Sequence, residues 1–274
     1  MRKTIISAVL ILLAIYLAIC GLMYSQQRRM MYFPSTQALD APNWATVETV
    51  HTSTADGLSL VAWFSPPKEK GGKVIVFFHG NAGNLVHMAG KAKLFKDAGY
   101  GIFLCEYRGY GGNPGSPTEA GLFADGRAAF TWLKAQGYKP EQFVVYGESL
   151  GTGVAVQMAK EMQPRELILE AAFSSTADVA KFRYGFLPVD LLMHDRYDSV
   201  SKIGDIKTAL LQIHGDRDNV VPLQFGKKLF AAAHEPKTFM FVPGANHDNL
   251  YTFRIGPNVV KWLDAAVKAE RTTQ

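Results

Sequence analysis

Ser149, Asp218 and His247 stand at the ends of three apolar runs, and together they can do chemistry that none can do alone. A serine hydroxyl is a weak nucleophile until a base takes its proton. An imidazole base in turn needs a carboxylate to hold its tautomer and to stabilise the imidazolium. Ser149 lies in Gly147-Glu148-Ser149-Leu150-Gly151, after the apolar run Phe143-Val144-Val145-Tyr146 and before the apolar helical stretch 152–158. A strand, a G-x-S-x-G turn and a helix, in that order, form the setting in which such a serine attacks a carbonyl. A strand that reverses sharply into a helix strains the serine backbone and leaves no room for a Cβ on either side. It also lifts the hydroxyl to the carboxyl edge of a sheet, at a helix N-terminus whose unpaired amides favour a developing anion.

The partners follow from where the other apolar runs end. One stops at Ile213 and leads into His214-Gly215-Asp216-Arg217-Asp218; another stops at Val242 and leads into Pro243-Gly244-Ala245-Asn246-His247. The order Ser, Asp, His is that of nucleophile-elbow enzymes. Asp218 is preferred as the acid, because Asp216 directly follows a glycine and suits closure of the turn. Among the seven histidines, His51, His87, His194 and His234 read as surface or packing residues, and His79 and His214 as loop braces before glycines. His247 remains as the base. The oxyanion needs two fixed donors, expected to be the backbone amides of Leu150 and of Asn81 in His79-Gly80-Asn81-Ala82-Gly83-Asn84. The glycine-rich segment 108–115 lacks Gly-Lys-Ser/Thr and does not fit G-x-G-x-x-G, so it reads as a structural loop.

The elements that must position these residues alternate. Residues 47–52 and 58–64, around Ala55-Asp56-Gly57, pattern as a hairpin. Residues 73–78 form a continuous apolar run suited to a strand covered on both faces. Asn84 caps a helix that Gly99 ends, 100–106 is the next strand, and Thr118 and Glu119 open a helix closing near Gly137. Strands at 166–170, 209–213 and 238–242 alternate with helices at 150–163, 223–233 and 257–268. This rhythm calls for right-handed crossovers, a mostly parallel sheet and helices on both faces. The stretch 173–206 breaks it with Phe182, Tyr184, Phe186, Leu187, Leu191, Leu192 and Met193. It reads either as a small cap over an apolar pocket or as ordinary helix packing on the sheet.

The amino-terminal residues read differently. After Arg2 and Lys3 the next charge is Arg28, and residues 5–24 are apolar almost throughout. About 20 such residues span a bilayer core, so an uncleaved transmembrane anchor is expected at 1–30 and one globular domain at 31–274. A cleaved signal has a shorter apolar region and a small-residue cleavage site, and this run closes with Leu22-Met23-Tyr24. Tyr24, Tyr32 and Phe33 with Arg28 and Arg29 fit an interfacial belt. Arg2 and Lys3 balance the later arginines, but a short leading tail is more often cytoplasmic, which places the main domain outside the cytoplasm.

Composition narrows the remaining classes. Of 274 residues, 48% are hydrophobic, enough for a sizeable core, and 19% are charged, which does not indicate disorder. Much of the net +5 sits in the arginine and lysine groups flanking the apolar segment, with no basic stripe interleaved with aromatics, so nucleic acid is not an expected partner. Cys20 and Cys105 lie in an apolar run and a strand, without metal-ligand spacing, so neither a disulfide, a metal nor a cofactor is implied.

These motifs taken together resemble the α/β-hydrolase family from about Thr46 onward. They are 79–84, Tyr107-Arg108-Gly109-Tyr110-Gly111, Gly147-Glu148-Ser149-Leu150-Gly151, His214-Gly215-Asp216-Arg217-Asp218 and Gly244-Ala245-Asn246-His247. The apolar leader with Gln27-Arg28-Arg29-Met30-Met31-Tyr32-Phe33-Pro34 is similar to the membrane-anchored abhydrolase-domain serine hydrolases. The resemblance maps the acid to Asp218. It implies hydrolysis of carboxylic esters or thioesters of apolar acyl groups. Protein depalmitoylases of that branch carry an amino-terminal cysteine cluster, where this chain has only Cys20. The alternatives are a serine peptidase on the same scaffold and a non-catalytic binding module.

Overall fold

The computed structural model describes residues 1–37, 40–44 and 46–271; residues 272–274, the end of the expected domain, lie outside the described residues. It opens with α1 (Arg2–Met31), 30 residues long, which is long and apolar enough to cross a membrane. The helix continues through Arg28 and Arg29 into the globular part rather than stopping at Tyr24. A short strand β1 (Phe33–Pro34) follows, then the antiparallel hairpin β2 (Glu48–Ser53) and β3 (Ser59–Ser65).

The alternation expected from the sequence then unfolds in order. It runs through β4 (Val74–Phe78), β5 (Ala82–Gly83), α2 (Leu85–Asp97), β6 (Gly101–Cys105), α3 (Glu119–Ala135), β7 (Phe143–Glu148), α4 (Leu150–Met162) and β8 (Glu166–Glu170). Three short helices occupy the irregular stretch: α5 (Thr176–Arg183), α6 (Val189–Leu192) and α7 (Val200–Ile203). β9 (Ala209–Gly215), α8 (Leu223–Ala232), β10 (Lys237–Val242) and α9 (Gly256–Arg271) complete the chain. The helix starts follow their sequence signals, with Asn84 accepting from Val86 N and Thr118 from Gly121 N.

One eight-stranded sheet carries the architecture, in the order β2-β3-β6-β4-β7-β8-β9-β10. β3 runs antiparallel to both of its neighbours, β2 and β6, and the remaining contacts are parallel. Strands β4, β6, β7 and β8 are buried at nearly every position, because helices cover both faces. On one face Phe130, Val154 and Met158 of α3 and α4 pack against Val76 and Val145; on the other, Met88, Phe95, Val259 and Leu263 of α2 and α9 pack against Ile75 and Val144.

A third apolar cluster joins the amino-terminal helix to the irregular stretch that holds α5 and α6. Cys20 and Met23 of α1 pack with Ala177, Leu187 and Val189. Polar contacts reinforce it: Gln27 Nε2 donates to Leu192 O at 3.0 Å, His194 N donates to Gln27 Oε1 at 2.8 Å, and Arg28 Nε lies 3.0 Å from Asp195 Oδ2.

The expected interfacial belt needs correction at Tyr32. Tyr32 is buried at 4% exposure, its hydroxyl 3.0 Å from that of Tyr197, whereas the Phe33 side chain stays 52% exposed while its backbone pairs in β1 with β5. The physical reason is the short parallel ladder, which pulls the chain into the domain immediately after the helix ends.

Candidate active site

Ser149 sits where β7 turns into α4, with φ +50° and ψ −118°, a conformation that side chains rarely adopt. Its neighbours explain how that backbone is tolerated. A Cβ on Gly151 would overlap the carbonyl oxygens of Phe78 and His79, and one on Gly147 would overlap the Gly151 carbonyl and Thr152 Cα. Both positions therefore require glycine. Ser149 N donates to Glu170 O at 2.9 Å, and Ser149 O accepts from Thr152 N and Oγ1, so the backbone is clamped on both sides. A serine at this helix position ordinarily caps the first turn, but here no cap bond forms. The hydroxyl instead lies 2.9 Å from His247 Nε2.

The histidine is oriented from its other nitrogen. His247 Nδ1–H donates to Asp218 Oδ2 at 2.8 Å, so Nε2 is the nitrogen left to accept from the serine. Asp218 is fixed by the amides of Val220 and Val221, which donate to Oδ1 at 2.9 and 2.7 Å. Burial alone would raise the Asp218 carboxyl, but hydrogen bonds from His214 and His247 outweigh it and hold the group well below the usual carboxylate range. For His247, burial opposes the charged ring, yet the hydrogen bond and negative charge of Asp218 prevail and raise its pKa above the usual 6.5. The base thus gains proton affinity from the acid behind it.

Of the residues around these three, Asp216 departs from its expected role. His79 Nε2 is 2.8 Å from Glu106 Oε1, and His214 Nε2–H donates to Val221 O at 2.9 Å, so both brace loops as expected. Asp216 does not close its own turn: Oδ1 accepts from Gly244 N at 2.6 Å and ties the Asp218 loop to the His247 loop. Asn81 is held by its carbonyl, which accepts from Phe33 N and Tyr110 Oη, both at 2.9 Å, while its side chain donates to Met31 O at 3.0 Å. Asn81, Ser149 and Leu150 share one cavity of about 490 Å³. Among the described residues no group of His, Cys, Asp and Glu side chains has the arrangement to hold a metal ion.

Sequence reasoning missed a buried charge cluster directly behind the nucleophile turn. Lys91 of α2, its side chain 12% exposed, bridges Glu148 and Glu170, and Tyr146 Oη donates to Glu170 Oε2 at 2.5 Å. The register explains the need for it, since β7 and β8 place Glu148 and Glu170 side by side. Burial would lower the Lys91 ammonium, but the two carboxylates reverse this and raise it. Two neighbouring apolar strands that both end in Glu were the available signal. Like charges at one sheet edge demand a cation.

Comparison with known proteins shows the family of the fold. A family model described as the alpha/beta hydrolase fold matches residues 73–200. An uncharacterized protein of Mycobacterium tuberculosis is 40% identical over 232 residues, covering 82% of each chain. The chain belongs to the α/β-hydrolase family. A Danio rerio relative, lysophosphatidylserine lipase ABHD12, is 30% identical over 228 residues, covering 72% of this chain and 59% of that one. Among solved structures, the Pyrococcus furiosus esterase Pf2001 superposes with a TM-score of 0.67 at 18% identity, over 86% of this chain and 98% of the esterase. In this hydrolase the fold follows the family pattern. α1, packed against α5 and α6, adds a further wall to the cavity.

Proposed function

We propose that this hydrolase is a membrane-anchored serine enzyme that cleaves carboxylic esters or thioesters of apolar acyl groups. The observation that carries the reading is the continuous hydrogen-bonded chain from Ser149 through His247 to Asp218, opening onto an apolar-walled cavity. In the reaction His247 Nε2 takes the Ser149 proton as Oγ attacks the acyl carbonyl. The oxyanion of the tetrahedral intermediate faces the backbone amides of Leu150 and Asn81, each donor of this kind being worth ~3 kcal/mol. Collapse expels the alcohol or thiol, which leaves with the proton from His247. Water, deprotonated by the same imidazole, then attacks the acyl-enzyme and releases the carboxylic acid. Asp218 stays ionised throughout and holds the Nδ1–H tautomer.

Residues 1–30 are the anchor, 31–274 the hydrolase domain, and 173–206 its cap, with the domain on the extracytoplasmic side. Retention of α1 is supported by its contacts from Tyr16 to Arg28, which a cleaved signal would remove. An acyl-lipid substrate class is supported by the name of the Danio rerio relative. Fluorophosphonate labelling of the full chain tests the nucleophile: label on the parent and none on Ser149→Ala is expected, and equal labelling of both overturns it. Reporter fusions after Phe33 test the membrane side.

A further inference from the structure

The cavity that opens at Ser149 is walled on one side by α1 itself: Met23, Gln27, Met30 and Met31 line it opposite Leu187 and Leu192 of the cap. Met31 lies at the nucleophile end, where its carbonyl accepts from Asn81 Nδ2. Met23, eight residues earlier, stands ~12 Å further along the helix axis. There it packs in the cluster of Cys20, Leu187 and Val189, next to the fully apolar part of α1. The cavity therefore runs from the serine toward the stretch that fits a bilayer.

The cap follows the helix in the same direction. Tyr16 Oη donates to Phe186 O at 3.0 Å, and Tyr16 lies eight residues, again ~12 Å, inside the apolar segment that ends at Tyr24. Phe182, Phe186 and Leu191 on this part of the cap are 61%, 62% and 81% exposed. Large apolar side chains that bare, beside a contact from Phe186 to the middle of the apolar helix, suit a lipid surface better than water.

Building on the proposed ester hydrolysis, we infer that the acyl chain enters laterally from the bilayer between α1 and the cap, and that α1 selects its length. The carbonyl sits at Ser149 and the tail lies back along Met30 and Met23 into the lipid, so it never leaves apolar surroundings. Methionine suits that wall, because its unbranched, polarisable side chain adapts to a flexible ligand. The anchor is thus part of the binding site as well as a tether.

The test uses the full chain in phosphatidylcholine vesicles with p-nitrophenyl esters from acetate to dodecanoate. Met23→Trp narrows the wall and is expected to lower the dodecanoate-to-acetate ratio of kcat/KM about tenfold, the size of effect that shape changes in an apolar pocket produce. Met23→Ala widens it and is expected to move the preferred chain length upward. Opposite shifts are not produced by damaged folding, and a chain-length profile unmoved by both variants overturns the inference. Leu191→Glu is expected to raise KM for the vesicle-dissolved dodecanoate relative to that for soluble acetate, and an unchanged KM ratio overturns lateral entry. If the parent protein is labelled by fluorophosphonate and turns over acetate while these ratios stay fixed, the inference alone fails. If it does neither, the esterase reading fails first.

Discussion

His247 Nδ1 lies 2.8 Å from Asp218 Oδ2, and Asp218 in turn is anchored by two backbone amides, so the imidazole meets a carboxylate that stays ionised. This pair raises the His247 pKa above its usual 6.5 against the effect of burial. The base works only when neutral, so activity rises with pH through that raised value. The acid limb of kcat/KM is expected to have its midpoint above 6.5 and to move downward in Asp218→Asn, with kcat reduced ~10⁴-fold. The stability sign is opposite: while Asp218 stays ionised, the His247 contribution is complete below pH 6.5 and fades as pH rises through the folded-state value. Kinetics and thermal unfolding across pH measure both.

The strain at Ser149 predicts a stability gain from a variant without function. At φ +50° and ψ −118° a Cβ is disfavoured and glycine is not. Ser149→Gly is expected to be inactive and to unfold at higher temperature than Ser149→Ala, by the equivalent of ~1 kcal/mol. Equal melting temperatures would remove the strain argument.

Lys91 holds two carboxylates at one sheet edge, and its removal leaves them buried without a counter-charge. Breaking such a pair costs ~3–5 kcal/mol when both groups are fully buried. The Glu148 side chain is 32% exposed, so Lys91→Met is expected to destabilise by about 2–3 kcal/mol. Adding Glu170→Gln is expected to recover part of that loss, as read by denaturant unfolding of the detergent-solubilised chain.

Two of the contacts that join the end of α1 to residues 192–197 differ in what they are worth. Arg28 is 52% exposed beside Asp195, so Arg28→Ala is expected to cost under about 1 kcal/mol. Tyr32 and Tyr197 are buried with their hydroxyls 3.0 Å apart, so Tyr32→Phe strands the Tyr197 hydroxyl and costs ~1–3 kcal/mol. Unfolding of the two variants side by side ranks them, and a larger loss in Arg28→Ala would reverse the order.

By itself the sequence determined the parts whose causes are local. The buried strands are continuous apolar runs, Asn84 and Thr118 start helices by capping them, and Gly147 and Gly151 flank Ser149 because any Cβ there meets backbone. The loops holding Asp218 and His247 were legible because strand ends in an alternating fold gather at one edge. Only the tertiary structure decided what depends on register and on the docking of distant segments. Lys91 met Glu148 and Glu170 because β7 and β8 align those acids, and Asp216 bonded across to Gly244 rather than within its own turn. Tyr32 left the expected membrane belt for a partner 165 residues away, and α1 became a wall of the cavity. Helical periodicity and hydropathy marked α1 as apolar, but an apolar face looks the same in sequence whether it meets lipid, a cap or a substrate chain.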